Sequence, residues 1–279
     1  MTEFVDVDGG RIAYDVIGEG PLVVMQHGMG DMRQAFRHLA PQLAAAGYRV
    51  VTADMRGHGE SSMDWGSDAI SRTDVAGDLL ALIRHLGGPA VIVGHSLGGG
   101  AATIAAATAS ELVTAIVEIN PFTRVPKTDV GALFTNSLYR RGGLRLISAG
   151  MFKSLKLWMS YLNVAYPTKP ADYDAYMAQL AAKLSEPGRF AEFMKTTKST
   201  PADAQAQLPN VHVPALILMG AAECDFPDPR AEGEAIVSMM PTGIGTLGLI
   251  EGAGHYPHAQ SADLTAAQII PFLKEHAGA

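Results

Sequence analysis

The chain has 279 residues, 48% hydrophobic and 18% charged, a balance that excludes a disordered polypeptide and suffices for one α/β core plus an inserted subdomain without stabilising disulfides or metals. Its 21 Lys and Arg against 28 Asp and Glu give a formal net charge of -7 without a basic cluster, so neither nucleic acid nor a membrane surface is an expected partner. A lone cysteine, Cys224, excludes an intramolecular disulfide, and with no apolar leader and no run of about 18 apolar residues the expected location is cytoplasmic.

Glu3 to Val7 and Arg11 to Ile17, joined by Asp8-Gly9-Gly10, read as a hairpin. After the breaker Gly18-Glu19-Gly20-Pro21, Leu22 to Gln26 reads as a strand covered on both faces, ending in His27-Gly28-Met29-Gly30. A helical segment closing near Ala46-Gly47 and a strand from Tyr48 to Ala53 follow. They lead into the polar octet Asp54 to Ser61, where Asp54, Arg56 and His58 are expected to serve structural hydrogen bonding. Thr73 to Leu86 is amphipathic, with Val75, Leu79, Leu82, Ile83 and Leu86 on one face and Gly87-Gly88-Pro89 as its stop.

The β-branched run Ala90 to Val93 and the Ala-rich run Gly99 to Ala109 predict a buried strand followed by a helix, with Gly94-His95-Ser96-Leu97-Gly98 at the junction. A turn that tight strains its central residue and needs glycines where strand and helix approach each other. Ser96 would then project above the sheet edge at a helix N-terminus, where amides and dipole favour developing negative charge.

Beyond the strand Val113 to Ile119 the pattern turns helical until about Gln207. Expected helices lie around Leu133 to Leu146, Met151 to Leu162, Asp172 to Leu184 and Phe190 to Lys195, interrupted by Gly142-Gly143, Pro167, Pro170 and Pro187-Gly188. Trp158 and Met159 are singled out from its apolar content as residues that could face a substrate. Strands resume at Val213 to Met219 and Thr246 to Ile250, and a helix from Ala262 to His276 closes the chain. Alternating strands and helices imply a mostly parallel sheet with ligands at the carboxyl ends of the strands.

Three motifs stand on these elements in chain order: His27-Gly28-Met29-Gly30, the pentapeptide around Ser96, and Gly252-Ala253-Gly254-His255. In that arrangement the sequence resembles the α/β-hydrolase superfamily over nearly its whole length. The resemblance implies an α/β fold, with a core domain from residues 1–121 and 210–279 and a helical cap at 122–209. It further implies a nucleophile elbow at Ser96, a catalytic base at His255 and an oxyanion hole made by the backbone amides of Met29 and Leu97. The triad acid belongs in the loop Gly220 to Pro229: spacing from Gly220 to Pro227 favours Glu223, while Asp225 has the shorter side chain more often found in the role, and Asp228 and Glu118 stand well behind. Whichever of Glu223 and Asp225 is not the acid is expected at the surface or in a turn.

His95 is expected to point away from the site and His258 to be a polar loop or helix-start residue at a surface, whereas Cys224, beside acids, reads as a small hydrophobe. No histidine pair has metal-ligand spacing, so no metal and no cofactor are expected. Relatives acting on haloalkanes and epoxides carry Asp at the elbow, and Ser in its place favours acyl chemistry on a small-molecule ester or lactone. A carbon–carbon bond hydrolase and a cofactor-free perhydrolase use the same triad and stay open, as does a ligand receptor that retains slow hydrolysis.

Overall fold

The computed structural model describes residues 1–127 and 129–277. Eight strands, β1 (Glu3–Val7), β2 (Gly10–Ile17), β3 (Leu22–Gln26), β4 (Arg49–Ala53), β5 (Ala90–His95), β6 (Val113–Ile119), β7 (Ala215–Gly220) and β8 (Gly245–Ile250), form one sheet in the order β1-β2-β4-β3-β5-β6-β7-β8. Only the β1/β2 and β2/β4 pairs are antiparallel. The other neighbours run parallel, because each connection carries a helix or a long crossover back to the same sheet edge.

Helices cover both faces, and strand alternation explains how. Leu22 and Val24 of β3 join a cluster with α2 (Arg72–His85), α3 (Leu97–Thr108) and α10 (Pro229–Met239), while Val23 and Met25 face α1 (Ala40–Ala45) and α12 (Ala262–His276). A short α11 (Pro257–Gln260) precedes α12. The architecture is that of an α/β-hydrolase fold, as the sequence patterning predicts. Among the described residues no helix is long and apolar enough to cross a membrane.

Between β6 and β7 lie α4 (Val130–Thr135), α5 (Ser137–Phe152), α6 (Leu155–Ala165), α7 (Tyr173–Leu184), α8 (Arg189–Lys195) and α9 (Ala202–Gln207). Their buried side chains, among them Trp158, Tyr161, Leu162, Tyr176, Leu180 and Phe193, form a third cluster that also takes in Met32, Cys224 and Tyr256 from the sheet part.

Two features of this segment correct the sequence reading. The break falls at Asn136, whose side chain accepts from the amides of Leu138 and Tyr139 and caps α5, and the helix then runs straight through Gly142-Gly143. Gly142 serves close approach: a Cβ there would lie 2.7 Å from the Cys224 carbonyl oxygen, so α5 seats directly on the loop after β7. Gly143 faces open space. Gly143→Ala should therefore stabilise the protein by about 1 kcal/mol through helix propensity alone. Gly142→Ala should destabilise it, since the clash is with backbone, and paired thermal unfolding curves with shifts of opposite sign are the expected result. Equal upward shifts would mean that α5 does not seat on the loop.

Candidate active site

Ser96 stands between the last residue of β5 and the first of α3, at φ 54° and ψ -118°. A side chain tolerates that conformation only where the surroundings enforce it. Here the enforcement is close packing: a Cβ on Gly94 would lie 2.3 Å from the Gly98 carbonyl oxygen, and one on Gly98 would lie 2.5 Å from that of Gln26. The strand therefore drives straight into the helix with Ser96 at the apex, as expected from the two glycines.

His255 lies in the loop after β8, held by its amide donating to Ala165 O at 2.9 Å. Its Nδ1–H donates to Glu223 Oε2 at 2.6 Å. Asp225 Oδ2 stands farther from the same nitrogen, at 3.5 Å, and accepts from the Tyr161 hydroxyl of α6 at 2.6 Å. The other Glu223 oxygen accepts from the amides of Cys224 and Asp225, at 2.6 and 3.0 Å, which locks the carboxylate toward the ring. Asp225 lies in the turn after β7 but not at the surface, its side chain being 2% exposed. The tight turn after β7 buries both carboxylates against one imidazole.

Burial disfavours the imidazolium of His255, but the charges of Glu223 and then Asp225 outweigh it and raise its pKa above the ordinary value. Burial, reinforced by Glu223 and opposed by His255, pushes Asp225 up to about 6. Glu223, Asp225 and His255 offer ligand atoms within 4.8 Å of one another, and each carboxylate also accepts hydrogen bonds from protein donors.

Ser96, His255, Met29, Leu97, Trp158, Tyr161, Phe122 and Arg72 border one cavity of about 380 Å³. Among the described residues, the N–H groups of Met29 and Leu97 donate to no protein acceptor, leaving both available beside Ser96. Trp158 reaches the cavity and donates its Nε1–H to Gly30 O at 3.3 Å. Met159 does not border it: one residue further along α6, its side chain is turned by about 100° and packs at the edge of the helical cluster.

His95 departs from expectation. The residue borders the cavity, its Nε2–H donates to His255 O at 2.8 Å and its ring centroid lies 4.7 Å from that of His255. The positive φ of Ser96 breaks the strand alternation that would have sent the two side chains to opposite faces. His258 does begin a helix, but it is fully buried, its ring nitrogens lack partners among the described residues, and burial holds its pKa well below the ordinary value.

Asp54 and Arg56 are tied to Arg33 and Asp78, and His58 accepts from the Gly30 amide at 3.1 Å, which keeps them in turn architecture. Glu118 accepts from the hydroxyls of Thr103 and Thr123 inside the sheet, and Asp228 caps α10. Burial, with Asp225 and Glu223 beside it, raises the Cys224 thiol far above its usual range, so it behaves as a hydrophobe.

Three contributors escaped the sequence reading. Asn120, at φ 41°, donates to Gly254 O and accepts from Gly220 N, both at 2.8 Å, and so ties the loop bearing His255 to the one bearing Glu223. Tyr161 holds Asp225, and Arg72 lies in the cavity wall. A helix-interior Tyr carries no distinguishing pattern, but Arg72, a cation in a first turn where acids are favoured, is a signal readable in sequence.

A sharp strand–serine–helix turn at the carboxyl edge of a mostly parallel sheet, facing an imidazole–carboxylate pair, defines an α/β hydrolase. The family model described as "Serine aminopeptidase, S33" matches residues 20–261, and the chain belongs to this α/β-hydrolase family. The 2-(acetamidomethylene)succinate hydrolase of Mesorhizobium japonicum is 30% identical over 277 residues, 96% of this chain and 94% of that protein. Among solved structures, the epoxide hydrolase VrEH1 from Vigna radiata superposes with a TM-score of 0.78 at 20% identity, covering 99% of this chain and 98% of that one. The enol-lactonase from Burkholderia xenovorans LB400 gives 0.76 at 19% identity, over 98% and 100% of the two chains. These structural likenesses establish the fold, and the chain is a hydrolase by family.

Proposed function

We propose that this hydrolase cleaves an ester or lactone whose small to medium body is apolar, through an acyl-enzyme on Ser96. The observation that carries the reading is the strained serine at φ 54° sharing a cavity with an imidazole whose Nδ1–H is 2.6 Å from Glu223. His255 takes the Ser96 proton as Oγ bonds to the carbonyl carbon, and the oxyanion rests on the amides of Met29 and Leu97. Collapse breaks the bond to the leaving alkoxide, which receives the proton from His255. Water, deprotonated by the same ring, then releases the acid and restores Ser96. Glu223 is the acid that holds the ring in its working tautomer.

Ser at the elbow distinguishes this chemistry from the alkyl-enzyme route implied by Asp in epoxide-opening relatives. The curated relative matched end to end is named for hydrolysis of a substituted succinate, in keeping with a hydrolase for a small organic substrate. The test is a panel of p-nitrophenyl esters and lactones under multiple turnover. Ser96-dependent turnover is expected, and a panel with neither a burst nor turnover that depends on Ser96 overturns the reading.

In this proposal residues 122–209 act as a cap that selects the substrate. Trp158→Ala should shift the ratio of rates between short and long acyl esters about tenfold by enlarging the apolar wall beside Met29. An unchanged chain-length profile would leave Trp158 with a packing role only.

A further inference from the structure

Arg72 is 5% exposed, borders the cavity that holds Ser96, and lacks the partner a buried cation needs. Its Nε–H donates to Phe122 O at 2.8 Å, but Nη1 is buried without a hydrogen-bond acceptor among the described residues. Among the described residues no carboxylate forms an ion pair with it. Asp203 acts on it only through space, being engaged by the amide and hydroxyl of Thr73 at 3.2 and 3.1 Å.

Two further features worsen its electrostatic position. Arg72 is the first residue of α2, against that helix's dipole, and its side chain crosses the first turn of α3, where a Cβ on Gly100 would meet Arg72 Cδ at 2.6 Å. The guanidinium therefore lies beside the positive ends of two helices. Burial pulls its pKa down to about 10, which leaves it charged at neutral pH. An uncompensated buried charge of this kind is strongly unfavourable unless an anion completes it.

We propose that Arg72, beside the first turn of α3, receives a carboxylate of the substrate, so that the hydrolase acts on esters or lactones that also carry an acid group. This rests on the acyl-enzyme reading above and adds the charge of the substrate to it. The apolar wall of Trp158, Phe122 and Leu97 accommodates the body of such a substrate, and the Arg72 guanidinium anchors its charged end by a charge-assisted hydrogen bond.

The experiment compares the p-nitrophenyl half-ester of adipic acid with p-nitrophenyl hexanoate, substrates of equal acyl length that differ in the terminal carboxylate. Wild type is expected to prefer the half-ester in kcat/KM by roughly 10- to 100-fold, the range of one charge-assisted contact, and Arg72→Met should abolish the preference. Arg72→Lys should keep part of it, and rising salt should weaken it. Independently of turnover, thermal unfolding of Ser96→Ala should show stabilisation by monomethyl adipate exceeding that by dimethyl adipate, a comparison that needs no Arg72 variant to fold. Hydrolysis of both esters without discrimination, or equal stabilisation by the two adipates, overturns this inference while the acyl-enzyme reading stands. Absence of Ser96-dependent turnover with discrimination between the adipates retained overturns the acyl-enzyme reading and leaves the carboxylate site.

Discussion

Ser96→Ala is expected to lower kcat toward p-nitrophenyl esters by about six orders of magnitude, the scale seen when a triad nucleophile is removed from other serine hydrolases. The size follows from the site's construction. The wall hydroxyls of Thr196, Thr197 and Ser199 donate to the backbone carbonyls of Phe193, Met194 and Thr196, and the Cys224 thiol is both buried and raised far above the range in which a thiolate forms. Folding should survive, because the elbow is enforced by Gly94 and Gly98 and by backbone contacts such as the Ser96 amide donating to Ile119 O at 3.0 Å.

Ser96→Gly should be equally inactive and more stable by about 1 kcal/mol, since glycine tolerates φ 54° without steric cost. The measurement is a rate assay paired with thermal unfolding. An inactive Ser96→Gly no more stable than wild type would argue against strain at the elbow, and an active Ser96→Ala would remove the nucleophile assignment.

Glu223→Gln is the second large effect, with an expected loss of up to about four orders of magnitude, by analogy with the carboxylate-to-amide change in a serine-protease triad. The amide can donate its N–H to His255 Nδ1, stabilising the tautomer in which Nε2 carries the proton and cannot accept one from Ser96. Asp225→Asn should cost much less, about tenfold, because Asp225 is 3.5 Å from that nitrogen and engaged by Tyr161.

The pH profile separates the two roles further. In the proposed mechanism the working base is neutral His255, so activity should fall as pH drops through its folded pKa. Glu223 and Asp225 both raise that pKa, Glu223 more strongly. Each variant should therefore move the acid limb of kcat/KM to lower pH, with the larger displacement in Glu223→Gln. If Asp225→Asn alone is crippled, Asp225 is the acid and the short contact to Glu223 is a resting arrangement.

Much of this arrangement was legible in sequence because it depends on local patterns. Positions 94 and 98 must lack a side chain if strand and helix are to meet at Ser96, and that requirement shows as two glycines around one serine. The closing helix keeps its expected bounds, Ala262–His276, because its apolar positions recur with helical period up to the chain end. Gly142-Gly143 misled for the opposite reason: glycine pairs usually break helices, but here one of them lets α5 touch Cys224, a contact about eighty residues away in sequence.

Spacing could order Glu223 ahead of Asp225 but could not bring either to an imidazole about thirty residues away in sequence. The conformation of the loop after β7 sets the distances of 2.6 and 3.5 Å, and it depends on the Cys224 and Asp225 amides folding back onto Glu223. The burial of His258 likewise depends on how helices settle over the sheet.

The sequence by itself therefore determined the α/β architecture, the strand-to-helix junction at Ser96 and the chain order of its motifs, because hydrophobic period and glycine placement act over a few residues. Only the tertiary structure decided which carboxylate meets His255, which aromatic side chain reaches the cavity, and that Arg72 is buried there without an anion. Those outcomes depend on distances between segments far apart in the chain, and packing sets such distances.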